Sequence, residues 1–161
     1  MAKHLGERLN DDLLEKLNRA ELFRGGGLAL TVLTLDERGW PHVAMAPGAV
    51  AVKPDEVWLI LGGQTGSLTN VERDPRMTLL VAAPETLYYI KGRAEIARRE
   101  MSLIPQEAAL RLKVTEVLAD MEPFVKITGG ITYRYQPTHD DYTMVLVALL
   151  DELHGLAEAS N

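Results

Sequence analysis

The chain has 161 residues, 47% of them apolar and 25% charged, with a formal net charge of −6 and no cysteine. Such a chain suits one domain with a sizeable core, spanning 1–161. The missing cysteines exclude disulfides, thiolate nucleophiles and cysteine-ligated metals, and without a basic stripe neither nucleic acid nor an anionic membrane is an expected partner.

The opening MAKHLGERLNDD lacks an apolar signal core, and no segment reaches the ~20 apolar residues of a membrane span, so a cytoplasmic domain is expected. Asn10 to Phe23 reads as an amphipathic helix: Leu13, Leu14, Leu17, Ala20 and Leu22 fall near helical spacing, and Asp11, Asp12 and Glu15 occupy the first turn. Gly25-Gly26-Gly27 ends it, since continuation would cost about 1 kcal/mol per glycine relative to alanine. Leu28 to Leu35 is a β-branched run read as a strand, Asp36-Glu37-Arg38-Gly39 is a tight turn, and Trp40 to Val52 returns as a strand bent at Pro47-Gly48. Lys53-Pro54-Asp55 turns the chain again, which makes an antiparallel meander.

Val57 to Leu61 is the next strand, ended by Gly62-Gly63. Thr65, Ser67 or Thr69 can cap a short helix that Asp74-Pro75 closes, because proline drives the preceding residue out of helical geometry. A loop with free N–H groups and hydroxyls at a helix start suits an anion such as a phosphate; a capped connector that binds nothing is the alternative. Met77 to Val81 and Leu87 to Ala97 are strands, the second with a bulge at Gly92. Pro105 to Met121 reads as a helix with Ala109, Leu112, Val117 and Leu118 on its apolar side, and Ile131 to Tyr135 as a last strand. Tyr142 to Glu158 reads as a helix by length, although periodicity alone also allows MVLVALL to be a strand. About six antiparallel strands in so small a domain, with two edges to cover, favour a partly closed barrel with flanking helices over an open α+β sheet.

Three pieces in this order, Gly39 with Pro41-His42, the Asn70/Asp74-Pro75-Arg76 run and Gly92-Arg93-Ala94-Glu95, resemble the pyridoxamine 5′-phosphate oxidase-like family, the FMN-binding split β-barrel. The resemblance covers about Leu28 to Ala97. It implies a homodimer with two cofactor sites at the interface and a flavin-dependent oxidoreductase or flavin-binding function. By position, the phosphate run falls on Thr65, Gly66 and Ser67, followed by Asn70, and the flavin ring would lie along the backbone of Val43, Ala44, Met45 and Ala46 and of Leu59, Ile60 and Leu61. Where the family carries Arg-Lys, this chain has Gly66 and Ser67. Two lost charge-assisted contacts would weaken FMN by about two orders of magnitude unless a cation arrives from elsewhere, with Lys53, Arg73, Lys91 and Arg93 as candidates. The alternatives are a non-flavin binding or sensing protein on the same fold, taking haem, a deazaflavin or another small anionic metabolite, and a ligand-free structural dimer.

No catalytic side chain stands out. His42 is expected to face solvent or a dimer contact; His4, His139 and His154 lack metal-ligand spacing, so no metal site is expected. Glu21, Glu95 and Glu107 form no carboxylate pair, Ser67 has no Gly-x-Ser-x-Gly elbow, and Tyr88, Tyr89, Tyr133 and Tyr135 read as packing residues on strands.

Overall fold

The computed structural model describes residues 2–17, 30–83, 85–121, 124–131 and 140–160, with the side chains of the last helix from Met144 onward. In chain order the elements are β1 (Lys3–Gly6), α1 (Asp11–Leu17), β2 (Leu30–Leu35), β3 (Pro41–Ala46), β4 (Gly48–Lys53) and β5 (Glu56–Gly62). They continue with α2 (Gly66–Arg73), β6 (Arg76–Ala83), β7 (Thr86–Arg98), β8 (Glu107–Asp120) and α3 (Asp140–Ala159). The sheet runs β3-β2-β6-β7-β8-β5-β4, with β1 added beside β8. Every strand pairing is antiparallel. This is a split β-barrel of the mainly β, α+β kind.

Local chemistry sets the first hairpin. Asp36 Oδ1 accepts from the N–H groups of Arg38 (2.9 Å) and Trp40 (2.8 Å), and Gly39 takes φ +82°, a geometry that a Cβ would resist. The bend expected at Pro47-Gly48 has a large consequence. β3 and β4 are nearly one stretch of chain, yet they lie at opposite ends of the sheet order, so the bend brings those ends together. Among the described residues β3 pairs only with β2, along one edge. Alternate residues point into the barrel, where Val32, Leu59, Leu79, Ile90 and Leu112 are fully buried. Outside β4, α3 buries Leu146, Leu149, Leu150 and Leu153, each worth about 1.5–3 kcal/mol against exposure. Gly48 permits that approach, since a Cβ there would stand 2.6 Å from Leu150 Cδ2.

The helix expected over Pro105 to Met121 is instead β8, pairing with β7 along its length and with β5. Leu110, Leu112 and Val114 point inward and Arg111, Lys113 and Thr115 outward, which is strand alternation. Thr115 is an extra residue: Val114 faces Gly92 and Glu116 faces Lys91, so the inward set resumes at Val117, three residues on. A β-bulge thus produces the spacing that imitates a helix. The bulge expected at Gly92 lies at this register. Gly92 itself is required by the approach of β8, because a Cβ there would sit 2.1 Å from the Lys113 carbonyl oxygen.

β1 was not among the expected strands. Of the helix expected over 10–23, Asp11–Leu17 is helical, with Asn10 Oδ1 accepting from the Leu13 N–H at 2.9 Å as its N-terminal cap; the remainder and the three glycines lie outside the described residues. The strand expected over Ile131 to Tyr135 lies outside them too, except Ile131, which is in no strand. The last segment is a helix from Asp140.

Candidate functional site

The start of α2, between the end of β5 and the first strand pair, is where chemistry-bearing groups meet a helix terminus. Thr65 holds the N-cap position with extended backbone, but its hydroxyl does not cap; Oγ1 donates to the Gly62 carbonyl at 2.8 Å. Three nearby N–H groups are engaged within the protein: Gly63 with Gln106 O (2.5 Å), Thr65 with Gly62 O (3.1 Å) and Leu68 with Thr65 O (3.2 Å). The first-turn donors of Gly66 and Ser67 have no helical partner, as at any helix start. Ser67 is fully buried, and its Oγ meets no hydrogen-bond partner. Its hydroxyl therefore faces protein, while Gly66 is exposed.

The space over Gly66 is bounded by His42 of β3. A Cβ at Gly66 would lie 3.3 Å from His42 Cε1 and 3.5 Å from Nε2. An imidazole, a glycine without side chain and a helix N-terminus thus share one corner. The sequence singled out His42 only as a strand residue, because this neighbour depends on how α2 packs over β3.

Asn70 holds the helix in place. It is buried, and its Nδ2 donates to Thr34 Oγ1 at 3.0 Å. At the far end Arg73 donates to the Leu35 carbonyl, and Asp74 forms a two-pronged ion pair with Arg76 that lowers the Asp74 carboxyl to about 2. The Asn-x-x-x-Asp-Pro-Arg run is thus a helix-fixing device between β2 and β6.

The seven strand residues expected along a ring divide by strand. Val43 and Met45 are exposed (59% and 57%), Ala44 is half-buried and Ala46 buried, all on the edge strand β3. Leu59, Ile60 and Leu61 are fully buried and face Leu110, Ala109 and Ala108 of β8; Leu59 and Ile60 are also paired with β4. The edge of β3 therefore offers backbone groups, whereas Leu59 and Ile60 have a strand on either side.

The cations fall elsewhere. Lys53 pairs with Glu56 at 3.7 Å, Arg73 sits at the opposite end of α2, and Lys91 and Arg93 line a cavity of about 550 Å³ against β2 and β6. A second crevice, about 390 Å³, opens beside α2 between Gly63, Gln64, Leu68, Arg99 and Gln106. Arg99 pairs with Glu72 of α2, a cation that no local pattern singles out. At the start of β8, Glu107 is partly buried with Oε2 unpartnered, and burial raises its carboxyl above the ordinary range. Among the described residues no group of three or more His, Asp or Glu side chains gathers to hold a metal, and no helix is long and apolar enough to cross a membrane.

No family model and no curated protein matches the chain. Solved structures do. A pyridoxamine 5′-phosphate oxidase candidate from Lactobacillus delbrueckii superposes with a TM-score of 0.56 at 18% identity, over 71% of this chain and 98% of that one. A conserved hypothetical protein of Mycobacterium tuberculosis gives 0.53 at 16%, over 79% and 98%. HupZ of Group A Streptococcus gives 0.52 at 13%, over 78% and 94%. At such identities what is shared is the fold.

Proposed function

On the pyridoxamine 5′-phosphate oxidase-like split barrel, which is the fold of this chain, we propose a flavin-binding protein that takes FMN at the start of α2. The observation that carries the reading is the place of the His42 ring, 3.3–3.5 Å from where a Gly66 Cβ would stand. It puts an imidazole ring at the start of α2, at the place where the family carries its arginine, and the Gly66 and Ser67 N–H groups there have no helical partner. A phosphate fits there: Gly66 and Ser67 N–H groups and the dipole favour an anion, and a protonated imidazole can donate a charge-assisted hydrogen bond. The hydroxyls of Thr65 and Ser67 point elsewhere, so the site is weaker than one with Arg-Lys.

The free edge of β3, Val43 to Ala46, suits the donor and acceptor edge of a flavin ring in the manner of an added strand. A bound flavin supplies hydride or electron transfer; this chain's residues would bind the phosphate, orient the ring and exclude water. An oxidoreductase follows if a substrate reaches that ring. Exposed Val43, Met45 and Trp40 on the same hairpin support a homodimer that closes over the cofactor.

Fluorescence titration with FMN tests the reading. A dissociation constant in the micromolar range is expected, with riboflavin, which lacks the phosphate, bound at least tenfold more weakly, and His42→Ala weakening FMN about tenfold. Absence of quenching at millimolar FMN would remove the flavin.

A second reading is favoured by one feature, the missing charge itself. A non-flavin ligand such as haem, a deazaflavin or another anionic metabolite needs no phosphate monoester contact at Gly66. The absorption spectrum of the untreated protein separates the two, because these groups absorb differently from FMN.

A further inference from the structure

Three cations stand in a row across the outer face of the sheet. Arg76 of β6 is directly opposite Arg93 of β7, and Arg93 is directly opposite Lys113 of β8. Directly opposed residues project on the same face with Cβ atoms about 4.5–5.5 Å apart, and like charges so placed repel. A chain with net charge −6 has acids available to break such a row, and here it does so only in part. Asp74 holds Arg76, and Glu116 holds Lys91, one pleat along, at 2.7 Å. Glu56 of β5 stands directly opposite Lys113, so Arg93 is the member of the row with no ion pair among the described residues.

The row borders a concave space. Arg76, Lys91 and Arg93 line the 550 Å³ cavity, with Glu116 its only carboxylate, and Leu33, Leu35 and Pro41 supply an apolar wall. That volume is within the usual range for small-molecule sites, which combine an apolar lining with a few converging polar groups. The cavity belongs to the end of α2 where Arg73 and Asp74 lie, about 12 Å along the helix from Gly66.

We propose that this cavity is a separate anion site, for a small organic molecule with a phosphate or carboxylate head and an apolar body. The paired N–H groups of the Arg93 guanidinium match an oxyanion, Lys91, already paired with Glu116, adds a further N–H donor, and the leucine-proline wall takes the body. The ligand supplies the negative charge that the row lacks. The site does not depend on FMN binding at α2.

The test uses the full chain with phenyl phosphate, benzoate and inorganic phosphate as probes, followed by calorimetry, backbone-amide shifts and melting temperature. Phenyl phosphate or benzoate should bind at least tenfold more tightly than inorganic phosphate, the better of the two identifying the head group, with shifts centred on Lys91 to Ala94. Arg93→Gln should raise the melting temperature of the free protein, by relieving the row, and abolish the rise that the ligand produces. Thr78→Asp, which puts a carboxylate among the cations opposite Lys91, should abolish binding as well. Binding no tighter than inorganic phosphate, shifts confined to the start of α2, or unchanged affinity in Arg93→Gln would overturn the proposal. So would a change of oligomeric state in Arg93→Gln with ligand binding intact, which would give the row to a second copy of the chain.

Discussion

Ser67 Oγ and Glu107 Oε2 are buried without partners, and each makes a prediction. Removing an orphaned hydroxyl removes its desolvation penalty, so Ser67→Ala should raise stability by about 1–3 kcal/mol in chemical denaturation and leave FMN affinity unchanged. Ser67→Lys, the residue the family would carry, should instead destabilise the fold by burying an ammonium group. Glu107 is an acid whose folded pKa is raised by burial above its ordinary 4.5. The stability it contributes is therefore complete below that value and lost as pH rises through the higher folded value. Glu107→Gln should abolish that loss, so that the wild type falls behind the variant as the pH rises above 4.5 in pH-dependent unfolding. At this scale the sequence located Thr65, Gly66 and Ser67 as a unit and missed what faces them. His42 and Arg99 reach α2 through tertiary packing, which no local pattern encodes.

Among the elements, β7 and β8 depend on one residue. The Lys113 carbonyl occupies the place of a Gly92 side chain, and it is backbone, so it cannot rotate away. Gly92→Ala should cost about 2–4 kcal/mol, read as a lower denaturation midpoint, and a change under 0.5 kcal/mol would mean that the two strands do not approach as described. The pair also shows where sequence reading stops. β2 and β3 were legible because Val32 and Thr34 alternate with Thr31 and Leu33 and Asp36 to Gly39 is turn chemistry. β8 carried the same alternation from Leu110 to Val114, yet the extra Thr115 shifted its phase and made Val117 and Leu118 look helical. A bulge is a property of two strands together, and one strand read alone does not reveal it.

For the whole molecule, the fold was legible because three short pieces occur in a fixed order, each with a physical duty now visible. Gly39 turns the first hairpin, Asn70 and Asp74 to Arg76 fix α2 between β2 and β6, and Gly92 admits β8. The cation row was not legible, since Arg76, Arg93 and Lys113 become neighbours only through strand register. Nor does a single chain contain the contact of the proposed dimer. If the edge of β3 is that contact, Val43→Glu with Met45→Glu should give a folded monomer by light scattering, because both side chains are already exposed. A dimer that survives would place the interface elsewhere. The central claim, that α2 begins at an anion cradle served by His42, is tested most directly by backbone-amide shifts during FMN titration. The largest changes are expected at Gly66 and Ser67 and along Val43 to Ala46. Shifts confined to Lys91 to Ala94, or none at millimolar FMN, would contradict it.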